Sequence, residues 1–131
     1  MIEAAAPLKT KPALSRITQT GVLLASAPAA LWLLLYFSLA AHLRLGLGRW
    51  PDSIGDNPET PLFALHTELV WSYFGYMLLS LFAVPLIIAV LVFLPRCRRF
   101  VVHLVAYSTS IGLAWALMHL APGSFVYWFF D

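Results

Sequence analysis

Three long stretches of the chain contain no aspartate, glutamate, lysine or arginine; they cover residues 17–43, 69–95 and 100–120. About 20 apolar residues in a helix cross the hydrocarbon core of a bilayer. Each stretch is long enough, and each must be helical in lipid because its backbone N–H and C=O groups find no other partners there. The sequence therefore predicts an all-α integral membrane protein with three transmembrane helices. These helices are expected at about residues 18–43, 61–94 and 99–120.

The overall composition excludes other classes of protein. Hydrophobic residues make up 61% of the 131 residues and charged residues 11%, whereas soluble domains average about 45–50% and about 25%. A soluble globule and a disordered chain are both excluded, and the length allows a single membrane domain, 1–131. The net charge of +2 is too small to indicate a nucleic-acid partner. The sequence also lacks phosphate-loop, dinucleotide and serine-hydrolase motifs, so an enzymatic activity is not favoured.

Basic residues are distributed unevenly between the two sides of the membrane. Six lie before the first helix or between the second and third, and two lie between the first and second: Lys9, Lys11, Arg16, Arg96, Arg98 and Arg99 against Arg44 and Arg49. Because loops rich in basic residues stay in the cytoplasm, we predict a cytoplasmic N-terminus and an outer C-terminus. Arg96, Arg98 and Arg99 set this topology or contact anionic lipid headgroups. Six of the eight basic residues are arginine, which favours a bacterial inner (plasma) membrane.

The segments outside the helices follow from this topology. They are a cytoplasmic tail, an outer loop, a cytoplasmic turn and an outer aromatic tail, at residues 1–16, 44–60, 95–99 and 121–131. Asn57 followed by Pro58 and Thr60 followed by Pro61 are both typical of a helix start, so the second helix is expected to begin near residue 58 or 61. Pro122 with Gly123 is expected to close the third helix. The aromatic tail is too short to span the bilayer. We expect it in the outer headgroup layer or against a neighbouring protein.

Small residues recur at every fourth position in two of the predicted helices. They are Gly21, Ala25 and Ala29 in the first helix and Ser108, Gly112 and Ala116 in the third. Such spacing lets the backbones of two membrane helices approach closely. The pattern predicts helix-packing seams, used either between the first and third helices or with a partner protein.

The histidines are the candidate chemistry of the chain. His42, His66 and His119 fall near the outer interface, and together with Glu68 they are candidate ligands of a transition metal or, as a pair, of haem. At 100° per residue, His119 lies about 160° from His103 on the third helix. His119 then shares the face of Ser108 and Gly112, and His103 is expected to point away from that packing face.

These features favour a small multi-pass protein with a non-catalytic role, as a structural or accessory subunit that packs against other membrane proteins. One alternative is a redox subunit that binds haem or a metal through the outer histidines. A second alternative is an oligomeric passage for lipid or a small solute. The leading hypothesis requires no cofactor, and its partners are the lipid bilayer and either another membrane protein or further copies of the chain.

Overall fold

The computed structural model describes residues 16–131, with the side chains of residues 16–18, 98 and 99 outside the description. Within this range the chain is helical and contains no strand: α1 is Arg16–Leu47, α2 Pro61–Phe93, α3 Arg98–Met118 and α4 Gly123–Phe130, with a short 3₁₀ turn, Pro95–Cys97, between α2 and α3. The helices α1, α2 and α3 are long and apolar enough to cross a membrane. The predicted all-α fold with three spans is confirmed. Lys9 and Lys11 of the predicted cytoplasmic tail lie outside the described residues.

Helix α2 begins at Pro61, one of the two starts that the local sequence predicts. The hydroxyl of Thr60 accepts a hydrogen bond of 3.2 Å from the backbone N–H of Phe63, and Pro61 is the first residue of α2. This arrangement caps a helix start. At the other side of the loop, α1 continues to Leu47, one turn beyond the predicted end of the span, because a charge at Arg44 limits the membrane segment but not the helix. Gly48, with φ of +71°, follows the last helical residue, a conformation that glycine adopts without strain.

The aromatic tail forms a fourth helix that the sequence did not predict. The carbonyl of Pro122 accepts hydrogen bonds from the N–H groups of Phe125 and Val126 at 2.9 and 3.0 Å. Pro122 and Gly123 therefore start α4, and α3 has already ended at Met118 with His119 as its cap. The eight residues of α4 are too few to span a bilayer. The helix instead folds back onto the chain, where Phe125 and Phe129 are almost completely buried.

The buried residues are concentrated at one end of the bundle. We call it the outer end, after the predicted orientation; it comprises the second half of α1, the first half of α2, the second half of α3, and α4. Its buried residues run from Ala29 to Leu43 on α1, from Phe63 to Met77 on α2 and from Ile111 to Met118 on α3. At the opposite, inner end, α2 has no buried residue between Leu78 and Phe93.

At least one hydrogen bond joins each pair of the three long helices. The Trp32 indole N–H donates to Met118 Sδ at 3.0 Å, the Tyr73 hydroxyl to the Pro28 carbonyl at 3.0 Å, and the Tyr107 hydroxyl to Ser80 Oγ at 2.6 Å. Where lipid is as apolar as the protein interior, such polar contacts and close packing hold helices together. The three bonds thus support a closed α1–α2–α3 arrangement.

The two predicted packing seams differ in how the bundle uses them. On α1, Ala29 is buried, and a Cβ atom added at Gly21 would overlap Nε2 of His103 on α3. On α3, a Cβ at Gly112 would meet open space, and Ala116 is exposed. The expectation that His103 points away from the packing face was wrong. The bundle uses the α3 face that carries His103, Ile111, Ala114 and Met118, not the face with the small residues.

Candidate functional site at the outer end

Two of the three candidate histidines meet between α1 and α2. Nδ1 of His42 lies 3.0 Å from Nδ1 of His66, and their ring centroids are 5.3 Å apart. His42 also meets the ring of Phe63 edge-on at 5.3 Å. Both imidazoles line an open apolar pocket of about 290 Å³ together with leucines of α2. The two rings are therefore positioned by neighbouring helices and remain accessible from the side of the bundle.

Ser38, one turn before His42, determines which nitrogen donates and which accepts in the hydrogen bonds of this pair. The Ser38 hydroxyl donates to the carbonyl of Leu35 at 2.9 Å, and Ser38 Oγ lies 3.1 Å from Nε2 of His66. Because the hydroxyl proton is already used, Nε2–H of His66 is the donor to Ser38. Nδ1 of His66 then accepts from Nδ1–H of His42. Two neutral rings in this arrangement leave Nε2 of His42 as the unprotonated nitrogen, which can accept a proton or a hydrogen bond from a ligand.

The other histidines lie elsewhere. His119 is exposed at the end of α3, with its ring centroid 6.5 Å from that of Trp115. In the part of the chain that the structure describes, no three residues among His, Cys, Asp and Glu form a group that could hold a metal ion. His103 lies against Gly21, and its Nδ1 is buried without a hydrogen-bond partner. The structure thus brings together His42 and His66 but not His119.

Aromatic rings converge around α4. The ring of Phe129 stacks on Trp71 at 4.7 Å with an interplanar angle of 6°, and it meets Tyr36 edge-on at 5.1 Å. Phe74 and Trp32 lie at 5.9 and 6.2 Å from the same ring. Aromatic pairs at these distances add packing energy beyond the area that they bury. The tail therefore packs against the helices of its own chain.

Beside this cluster an open cleft of about 600 Å³ lies between the outer loop, the start of α2 and the end of α4. From α2 it receives Phe63, Thr67 and Trp71, whose spacing of four residues places them on one helix face. The Trp128 indole closes another side and donates a hydrogen bond of 3.2 Å to Asn57 Oδ1 of the loop. Loop, α2 and α4 thus share a single aromatic-walled cleft.

The charges around the cleft are of one sign. Glu68 and Asp131 line it, and no lysine, arginine or histidine does so among the described residues. The nearby loop carboxylates have partners, since Arg49 contacts Asp52 at 2.6 Å and Asp56 at 3.0 Å. The backbone N–H of Asp52 also donates to Asp56, and this bond, with the Arg49 guanidinium, lowers the pKa of the Asp56 carboxyl. Within the described chain, Glu68 has no ion pair.

Sequence reasoning missed most of this cleft. The residues that it did not single out as a site include Trp71, Trp128 and Thr67, whose Oγ1 is buried without a hydrogen-bond partner. The spacing of Phe63, Thr67 and Trp71 on one face is the signal that was present. The return of α4 onto that face could not be read from the sequence, because a short apolar segment suits the membrane interface equally well.

The predicted arginine cluster lies at the inner end. Arg96 is exposed in the 3₁₀ turn beside Cys97, while the side chains of Arg98 and Arg99 lie outside the described residues. An open groove of about 340 Å³ lies along Leu94, Pro95, Arg96 and Cys97. The contribution of these arginines to topology or to lipid binding stays a prediction.

Comparison of the chain with known protein families, with curated proteins and with solved structures gives no match.

Proposed function

We propose that the protein is a non-catalytic accessory subunit that packs against a transmembrane helix of another membrane protein. The observation that carries this proposal is the small-residue face of α3, formed by Ser108, Gly112 and Ala116, of which Gly112 and Ala116 are exposed. A Cβ atom at Gly112 meets nothing within 4 Å, so a neighbouring backbone can approach there. Three apolar helices fit a small multi-pass membrane protein, and this face adds a surface suited to a helix rather than to lipid tails.

The position of this face relative to the core supports the proposal. Ile111, Ala114 and Met118 are the buried residues of α3. At 100° per residue, the small-residue face lies roughly 130° away from them around the helix. A partner helix can therefore pack on it without displacing α1 or α2. By contrast, Gly21 of the matching seam on α1 is already occupied by His103.

Photo-crosslinking in native membranes tests the proposal. A photo-reactive amino acid at position 116 should give one discrete adduct with another membrane protein. The same group at position 79, where the leucine of α2 is 67% exposed, should give lipid adducts alone. Gly112 and Gly75 both face open space, so leucine at either position leaves the bundle intact. In the position-116 protein, Gly112→Leu should remove the adduct, whereas Gly75→Leu, on a different helix, should not. Adducts of the chain with itself, or equal adducts at positions 116 and 79, would contradict an accessory role.

The orientation belongs to the same proposal. With the N-terminus in the cytoplasm of a bacterial inner membrane, Cys97 in the Pro95–Cys97 turn lies on the cytoplasmic side. Cys97 is the single cysteine of the chain and is partly exposed. A membrane-impermeant maleimide should therefore modify inverted membrane vesicles and leave intact spheroplasts unlabelled. Labelling of spheroplasts would reverse the orientation.

A second candidate function is metal binding by the histidine pair. With metal–nitrogen bonds of about 2.0–2.1 Å, two nitrogens 3.0 Å apart subtend an angle of roughly 95° at the metal. That angle suits square-planar Cu(II) or Ni(II) better than tetrahedral Zn(II). The metal takes the place of the proton between His42 and His66. The pair is too close for trans axial ligation of haem, which needs the nitrogens about 4 Å apart.

Titration of the purified protein with Cu(II), followed by electron paramagnetic resonance, tests this candidate. One copper per chain should bind with a nitrogen-ligand signal, and His42→Ala or His66→Ala should each abolish it. His119→Ala is the matched control, because His119 lies on a different helix and outside the pair, and it should leave the signal unchanged. A signal that survives His66→Ala would exclude the site.

A further inference from the structure

The aromatic cleft at the outer end takes no part in either function proposed above. Its volume of about 600 Å³ falls within the range of small-ligand pockets, about 300–1,000 Å³. Such pockets combine apolar walls with a few polar groups that orient the ligand. The cleft has this composition, with rings on its walls and four polar side chains, Asn57, Thr67, Glu68 and Asp131.

The ring walls are held in place by their neighbours. One face of the Trp71 indole is stacked on Phe129 at 4.7 Å, and the side chain is still 43% exposed. The Trp128 indole is fixed by its hydrogen bond to Asn57, and its ring centroid lies 6.0 Å from that of Phe63. Rigid rings lose little conformational entropy when a ligand binds, and their electron-rich faces attract cations.

The polar groups of the cleft favour a ligand that is cationic and has N–H donors. Glu68 and Asp131 contribute carboxylates, and no basic side chain lines the cleft among the described residues. Arg49, the cation of the adjoining loop, is engaged by Asp52 and Asp56. The hydroxyl of Thr67 is buried away from the opening of the cleft, so the two carboxylates are the groups that can accept N–H bonds from a ligand.

We propose that the cleft binds a primary ammonium group carried on an apolar body. The ammonium N–H groups donate to the carboxylates, and the apolar body packs on Trp71, Trp128 and Phe63. A free organic amine presents this chemistry, and phosphatidylethanolamine presents the same ammonium group two carbons from its phosphate. The cleft lies at the end of the bundle where the membrane interface is predicted, so either source can reach it.

Binding of hexylammonium to the full chain in nonionic detergent tests the proposal. Intrinsic tryptophan fluorescence and calorimetry should show saturable binding of hexylammonium and none of hexanol. Glu68→Gln should weaken binding on the order of tenfold, the loss of one charge-assisted contact. Glu59→Gln should leave it within about twofold, since Glu59 is an outer acid that does not line the cleft. Equal binding of hexanol, or equal effects of the two substitutions, would overturn the proposal.

A pair of tryptophan variants tests the walls of the cleft, and a second ligand tests the carboxylates. Trp71→Leu should weaken binding, and Trp115→Leu should not, although both tryptophans are 43% exposed. The wild type should prefer hexylammonium to hexyltrimethylammonium, which has no N–H to donate to Glu68 and Asp131. If Trp115→Leu weakens binding as much as Trp71→Leu, or if the wild type prefers the quaternary amine, the assignment is wrong. Thermal unfolding of each variant shows whether its fold is intact.

The source of the ammonium group is resolved in nanodiscs. With phosphatidylglycerol alone as the reference, added phosphatidylethanolamine should raise the apparent dissociation constant of hexylammonium several-fold if the lipid headgroup occupies the cleft. An unchanged constant assigns the cleft to a free amine. Competition by phosphatidylethanolamine that persists in Glu68→Gln would mean that the lipid acts elsewhere and would contradict the proposal.

Discussion

Two phenylalanines at opposite ends of the bundle show how differently its halves are packed. Phe129 at the outer end is 1% exposed and contacts rings from α1, α2 and α4 itself, whereas Phe93 at the inner end of α2 is 83% exposed. Both belong to apolar segments. The difference lies in the neighbours that each helix offers, rather than in hydropathy.

The same contrast holds for whole helices. The most apolar window of α2 has a mean hydropathy of 2.7 and is 6% buried, while that of α1 has a mean hydropathy of 2.0 and is 22% buried. In lipid, an apolar side chain gains little by moving from the tails to a protein interior. Burial is therefore decided by ring stacking, close approach and hydrogen bonds. The most hydrophobic surface of this protein is the surface left to lipid.

The largest expected effect comes from removing the centre of the outer packing. Phe129→Ala should lower the free energy of unfolding by about 3 kcal/mol, because the cavity is surrounded by rings that cannot collapse into it. Equilibrium unfolding in mixed micelles of dodecyl sulfate and a nonionic detergent measures this change. Phe93→Ala is the matched control and should change the free energy by less than about 0.5 kcal/mol. Equal effects of the two substitutions would refute the contrast between the two ends.

A smaller effect is expected where the inner end makes its close contact. Gly21→Ala should cost about 1–2 kcal/mol of unfolding free energy, since the new methyl group overlaps the His103 ring. In a His103→Ala background the same substitution should cost almost nothing, which a double-mutant cycle detects. Gly112→Ala should be neutral, because its Cβ meets open space. A cost at Gly21 that persists without His103 would show that another neighbour is responsible.

The hydrogen bond between α2 and α3 should contribute less. Tyr107→Phe removes the donor to Ser80 Oγ and should lower the unfolding free energy by about 0.6 kcal/mol, the average for such bonds in membrane proteins. Tyr76→Phe, on a side chain that is 72% exposed, serves as the control. Equal unfolding free energies of the two variants would show that the Tyr107–Ser80 hydrogen bond does not stabilise the protein.

The smallest effect concerns the outer loop. Because the pKa of Asp56 is lowered in the folded protein, its contribution to loop order is present above the usual value of 3.8 and is lost as the pH falls through the lower, folded value. The amide resonance of Asp52, which donates to Asp56, should titrate with a midpoint below 3.8. Arg49→Gln should move this midpoint upward. A midpoint that is unchanged in Arg49→Gln would show that the guanidinium does not lower the pKa of Asp56.

Much of the fold could be predicted because charges and prolines are local signals. The three spans follow from charge-free stretches, and the start of α2 follows from Thr60 and Pro61. For the spans and the helix start, the deciding chemistry lies within a few residues of the feature. The proximity of His42 and His66 follows instead from their predicted positions at the same depth on consecutive helices.

The remaining features depend on contacts between distant segments. Hydropathy could not show that α4 returns onto Phe74 and Tyr36, because the membrane interface would accept the same segment. Nor could spacing alone choose the packing face of α3, since His103 fits against Gly21 only because glycine has no side chain there. The aromatic cleft combines both of these long-range effects, and the sequence did not predict it.

The central claim is that packing at the outer end stabilises the fold, whereas the small-residue face of α3 binds a partner helix. Native gel electrophoresis of membranes solubilised in mild detergent tests it most directly. Wild type and Gly75→Leu should migrate in a complex with another membrane protein, and Gly112→Leu should migrate as the free chain with unchanged unfolding. The claim is contradicted if Gly112→Leu remains in the complex, or if wild type migrates as a monomer or as a homo-oligomer.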